Sequence, residues 1–172
     1  MKRADWVRVA ASTATVAVCL SACIAPDVDV IGALGVTVDD QGRPVLVVEP
    51  CEGAAILVTL SFNRKGLSDD EENETIGAWT AAEPIAEMSE LVLSAPSAPW
   101  HGVGVDLPAG RGYIAGGQGH GDKQVLTQVA FDAGDLAEME PGNVYRNHPD
   151  PDVTALVARS PAEFSAEVCG RG

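Results

Sequence analysis

The feature that most narrows the folds open to this chain is a two-residue alternation of apolar with small or polar side chains, repeated in short stretches. Leu34, Val36 and Val38 alternate with Gly35, Thr37 and Asp39, the period of a strand with one buried face. Asp39, Asp40, Gln41 and Gly42 then predict a tight hairpin turn, because Asp and Gly tolerate the backbone angles it needs. The apolar run Val45-Leu46-Val47-Val48, ended by Pro50, predicts the returning strand. Ile56, Val58, Leu60 and Phe62 share one face, with Thr59 and Ser61 on the other. Leu91 with Leu93, Tyr113 with Ile114, and Val125, Thr127, Val129 and Phe131 mark further strands. Strands this short, punctuated by Gly and Pro, predict an all-β sandwich or barrel. The chain's 172 residues suit one such domain, and with 46% hydrophobic but only 5% aromatic residues the core is mostly Val, Leu, Ile and Ala. Two stretches depart from the pattern. Residues 68–74 are expected to be a solvated acidic loop, and residues 135–140 to be able to form one helical turn stopped by Pro141 and Gly142.

The stretch Leu107-Pro108-Ala109-Gly110-Arg111-Gly112-Tyr113 resembles the approach to strand F in immunoglobulin-like and fibronectin-like domains. The resemblance implies an immunoglobulin-like or fibronectin-like β-sandwich. It also implies a tyrosine corner in which the Tyr113 hydroxyl bonds back to backbone just upstream. The run Gly116-Gly117-Gln118-Gly119-His120-Gly121 predicts an early end to that strand and a mobile hairpin tip.

The chain opens with Lys2, Arg3 and Arg8, followed by an uncharged, mostly small or apolar stretch from position 9 to position 20. This is the layout of a secretory signal, and it is too short to span a bilayer as a helix. The segment closes on Leu20-Ser21-Ala22-Cys23, which resembles the lipobox of bacterial lipoproteins. That resemblance implies a diacylglyceryl group on the Cys23 sulfur, cleavage before Cys23, and a new amine open to acylation by a fatty acid such as palmitate. Ser21 and Ala22 are small enough for a peptidase to approach the backbone, and two or more acyl chains anchor stably where one is marginal. The expected division is a signal peptide over 1–22, a lipid-anchored tether over 23–30 and a β-sandwich domain over 31–172. The ordinary alternative is a secretory signal with a coincidental cysteine. Trp6 falls in the leader.

The four cysteines are Cys19, Cys23, Cys51 and Cys169. With Cys19 lost in the leader and Cys23 carrying lipid, two remain, and an even remainder in an oxidising compartment predicts a Cys51–Cys169 disulfide. A bond closing so long a loop stabilises by about 4–5 kcal/mol in the chain-entropy model. Two free thiols or a metal pair are the alternatives, although neither cysteine has a Cys or His neighbour at ligand spacing.

The formal net charge is −14, and the leader's +2 (Lys2, Arg3 and Arg8 against Asp5) leaves −16 on the remainder. Such a surface repels phosphate backbones and anionic head groups, so nucleic acid is not an expected partner. The charge also keeps an exported domain soluble. His101, His120 and His148, with Asp122, Asp150 and Asp152, are the candidate metal ligands. None has a companion at the spacing that puts two ligands on one face. His148-Pro149-Asp150-Pro151-Asp152 is the best local candidate, though it also reads as a rigid exposed loop. The segment from Asp27 to Gly32 fails as a calcium loop because Ile31 and Val38 stand at ligand positions. The chain has no Gly-x-Ser-x-Gly elbow, no Ser-x-x-Lys and no phosphate-cradling glycine spacing. No catalytic residue, metal or cofactor is therefore assigned. Trp79 and Trp100 are either exposed binding anchors or buried packing residues.

Taken together, the chain resembles a family of uncharacterised small lipoproteins of high-G+C Gram-positive bacteria. The resemblance rests on the lipobox, the Gly32-to-Val48 hairpin leading to Cys51, Trp79 and Trp100, and the turn into Tyr113. Val129-Ala130-Phe131-Asp132 followed by Leu136 and Pro141-Gly142, and the ending Phe164-Ser165-Ala166-Glu167-Val168-Cys169, complete it. It implies address and fold and no reaction. The expected role is a non-enzymatic module on the outer face of the cell membrane that binds a protein, glycan or small molecule. The alternatives are an enzyme whose active site is assembled from dispersed loop residues, and a purely structural envelope protein.

Overall fold

The computed structural model describes residues 27–64, 72–150 and 152–170. The expected leader, Cys23, the start of the tether and the first part of the acidic 68–74 run lie outside the described residues. β1 (Asp29–Val38) and β2 (Pro44–Pro50) form an antiparallel hairpin in which Leu34 faces Val48 and Val36 faces Leu46. Its turn is held by Asp39, whose carboxylate accepts from the backbone N–H groups of Gln41 and Arg43 and from the Arg43 guanidinium. The Arg43 backbone and guanidinium together hold this carboxyl below the usual carboxylate range. Gly42 takes the left-handed backbone, with φ of 73°, that favours glycine. β1 already begins at Asp29, so Asp29 and Val30 belong to the first strand and not to the expected tether.

β3 (Ala55–Phe62) pairs with β4 (Thr75–Ile85) on one edge and with β7 (Gly112–Gly119) on the other. A register shift between Ala55 and Leu57 in both pairings takes Ile56 off the face it was expected to share with Val58, Leu60 and Phe62. Ala55 fills the inward position in its place and is fully buried, as an extra residue in one strand of a pair permits. β5 (Ser89–Val92) pairs with β2, and β6 (Trp100–Gly102) pairs with β4. β8 (Gln124–Asp132) pairs with β7, and β9 (Val144–Asn147) pairs with β10 (Leu156–Arg159). α1 (Ala133–Glu138) follows β8 directly, capped by Asp132 in a reciprocal box with Asp135. It starts and stops two residues earlier than the turn expected over 135–140. The last element among the described residues is α2 (Pro161–Cys169).

β1 joins the molecule together. One of its edges carries β2. The other carries β8, in parallel over the first half of the strand, and then β9 at Val36. The result is mostly β, one ten-stranded sheet among the described residues that curls until it nearly closes into a barrel. Inward side chains from all round the sheet share one core that includes Leu34, Leu46, Leu60, Trp79, Trp100 and Tyr113. Tyr113 is fully buried between the rings of Phe62 and Phe131, with centroids 5.8 and 5.6 Å away, and its hydroxyl donates to the Pro108 carbonyl.

The glycine-rich run does not end β7 early. Gly116, Gly117 and Gly119 lie inside the strand, where a side chain on Gly117 would overlap Leu126 and one on Gly119 would lie 2.6 Å from Ile31 Cδ1. Gly117 and Gly119 are bare because side chains of neighbouring strands press against them. The turn itself falls at residues 120–123.

Candidate functional site: the corner under the C-terminal helix

β1 and β2 are buried on both faces, whereas a half-exposed strand would be buried on one. Their inner side chains enter the main core, and their outer face is covered by α2. Local chemistry builds this helix. Ser160 accepts from the Glu163 N–H at 3.3 Å, and the Glu163 carboxylate takes the Ser160 N–H at 2.9 Å and its hydroxyl at 2.7 Å. This is a capping box, and Pro161 sits in the first turn, where its missing N–H costs nothing. The Ser160 hydroxyl and N–H hold the Glu163 carboxyl below its usual range.

Phe164 is fully buried and packs with Ala33, Val47 and Val144 in a cluster separate from the main core, with Val168 half-buried against it. Gly35 makes room, because a side chain there would overlap Val144 and press on the Phe164 ring. Glu167 fastens the helix sideways, with Arg159 Nε at 2.8 Å and Arg146 Nη1 at 3.4 Å. At the end of α2 the Cys169 sulfur is bonded to Cys51, with an S–S distance of 2.07 Å. Cys51 is itself tied to β1, since the N–H groups of Cys51 and Glu52 both donate to the Ile31 carbonyl, at 2.6 and 3.0 Å.

Beneath the helix lies Glu49, only 7% exposed. Its Oε1 is 3.6 Å from Cys169 Sγ and its Oε2 is buried with no hydrogen-bond partner. Burial pushes this carboxyl above its ordinary range, against a weaker opposing hydrogen bond from Ser165. A cleft of about 270 Å³ opens beside the disulfide, lined by Val30, Gly32, Thr127, Arg146, Cys51 and Cys169 among others. The Cys169 end is exposed and Cys51 is half-buried. Chemically the corner offers a disulfide within reach of solvent, a buried carboxylate against it, and an ion-paired helix over both.

The other candidate residues lie apart. His101 is on β6, His120 follows β7 and His148 follows β9. In the His148 loop the side chains turn back on their own backbone. His148 Nδ1 accepts from the Asp150 N–H at 3.1 Å, and Asp150 Oδ1 accepts from the Asp152 N–H at 3.0 Å. Among the described residues no three metal-ligating side chains are grouped to hold an ion. Trp79 and Trp100, 0% and 1% exposed, are core residues and not surface anchors. Trp79 Nε1 donates to the Val103 carbonyl at 3.1 Å.

Reasoning from the sequence missed Glu49, α2 and the two arginines on Glu167. The Ser160-Pro161-Ala162-Glu163 box was the available signal for the helix, and Glu49 is the one charge in an otherwise apolar strand. No protein-family model matches the chain, and no curated protein or solved structure matches it either.

Proposed function

We propose that the chain is an exported lipoprotein, cut before Cys23 and held by lipid on that cysteine at the outer face of the cell membrane. Its domain, in this reading, is an immunoglobulin-like β-sandwich that works as a binding or interaction module at the cell envelope. The observation that carries the reading is the bond between Cys51 and Cys169. It uses the two cysteines that lie beyond the lipobox, suits an oxidising compartment, and leaves Cys23 as the cysteine for lipid. Among the described residues no helix is long and apolar enough to cross a membrane.

The sandwich reading draws support from the order of pairing. β1–β2–β5 and β4–β3–β7–β8 correspond to the A-B-E and C′-C-F-G rows of such a domain, and Tyr113 with its bond to Pro108 stands where a tyrosine corner belongs. β6, α1, β9, β10 and α2 are additions to that plan. The same reading groups the chain with the small lipoproteins of high-G+C Gram-positive bacteria that its leader and its last residues resemble. The partner is a protein, glycan or small molecule. The formal −16 beyond the leader disfavours nucleic acid.

The test is metabolic labelling with an alkyne fatty acid in a bacterial host, followed by fractionation. The wild-type chain is expected to carry the label and pellet with membranes, and Cys23→Ala to lose the label and the membrane together. A wild-type chain that keeps its leader and stays unlabelled in the cytosol would overturn the reading.

A further inference from the structure

The corner under α2 is separable from the rest of the domain. Phe164 is the one residue of the helix that is fully buried, and its cluster with Ala33, Val47 and Val144 shares no residue with the main core on the other side of β1 and β2. A nine-residue helix is too short to persist by itself in water. What holds it is the Phe164 ring with Val168 half-buried beside it, the Ser165 hydrogen bond to Glu49, the Glu167 ion pairs and the bond at Cys169. Against these stands Glu49, whose buried, unpartnered Oε2 regains water only when the helix lifts. The covalent link is within reach of solvent, because it joins an exposed residue at the end of α2 to a half-buried one just after β2, beside an open cleft.

We propose that Cys51–Cys169 is a thiol–disulfide exchange site, and that its reduction by a dithiol releases α2 from the sheet while the main core stays folded. This goes beyond the binding-module reading and does not depend on the lipid anchor. A reductant thiolate attacks the sulfur of Cys169, the more exposed residue of the pair. The Cys51–Cys169 bond breaks, and its electron pair leaves on Cys51, which takes a proton from water. The second thiol of the reductant then displaces Cys169 from the mixed disulfide. The protein gains two thiols and the dithiol is oxidised to its own disulfide. Release uncovers Ala33, Val47, Val144 and Glu49, a strip of β1, β2 and β9 that the closed molecule hides.

The experiment uses the oxidised full chain in detergent, treated with dithiothreitol without denaturant. It follows free thiols, hydrogen exchange at the α2 amides and tryptophan fluorescence, since Trp79 and Trp100 report the main core. Two thiols are expected to appear, α2 amides to lose protection at least about tenfold, and the tryptophan emission to stay that of buried rings. A Cys51→Ser/Cys169→Ser chain is expected to match the reduced one. Glu49→Met, which keeps the length and removes both oxygens, is expected to return several-fold of the α2 protection under dithiothreitol. Thiols that appear only after denaturation would overturn the proposal, as would α2 amides unchanged on reduction. Loss of the buried tryptophan signal in the same step would overturn it too, because the bond would then brace the whole domain.

Discussion

On the inner side of the sheet, Trp79, Trp100 and Tyr113 are enclosed by leucines and valines contributed by strands from all round the fold. On the outer side of β1 and β2, a single ring, Phe164, sits among three small or branched residues with Val168 half-buried beside it. The rest of the attachment is one hydrogen bond from Ser165, two ion pairs and the disulfide. Both regions are dry. They differ in how many elements must part before a side chain meets water. The main core opens only if the sheet comes apart, whereas the corner opens when one helix lifts, and regions fastened so lightly are where local unfolding starts. Substitutions of equal size in the two regions should therefore report different events.

Trp79→Ala is the largest probe. It empties a fully buried site in the main core and removes the donor to Val103. It should cost about 3–5 kcal/mol in chemical denaturation, in one cooperative transition. A loss under about 1 kcal/mol would mean that the main core does not govern global stability. Phe164→Ala sharpens the contrast. With the disulfide intact it should cost about 3 kcal/mol, the low end for such a truncation. Under dithiothreitol its effect on the global transition should shrink, because that transition then starts from a state with α2 already free. Equal losses in both conditions would merge the two regions into one.

The smallest effect concerns Glu49. Its carboxyl titrates above its ordinary value in the folded chain because burial disfavours the charge. The folded state therefore holds this proton more tightly than the unfolded state. Stability from this group is greatest below the ordinary value of 4.5 and falls as pH rises through the raised one. Ser165, which donates to the carboxylate, opposes that fall. Glu49→Gln should flatten this part of the pH profile, the smallest of the three effects. An unchanged slope between acid and neutral pH would show that Glu49 does not titrate in a buried site.

The β1–β2 hairpin was legible because its alternation and its turn residues agree. The later strands varied. β8 could be placed over Val125 to Phe131, although Leu126, and not Val125 or Thr127, faces the core in its first half. β4 could not, since Trp79 is its one buried side chain and a strand with a single inward residue carries little periodic signal. In β7 the glycines read as a break, yet the fold needs them bare where Leu126 and Ile31 press in, and a pattern of single residues does not reveal which neighbour stands opposite. The shift at Ile56 is invisible for the same reason, because a bulge is set by the partner strands. Cys51 and Cys169 could be paired by counting. Glu49 could not be singled out, since a carboxylate at the end of an apolar run looks like the end of a strand until a helix is found on top of it.

The most direct test is the intact mass of the chain extracted from membranes, measured with and without reduction. The expected species begins at Cys23, carries acyl chains on that residue, and gains two hydrogens on reduction as Cys51 and Cys169 part. A species that begins at Met1, bears no lipid and already holds its thiols free would contradict both the anchor and the oxidised corner.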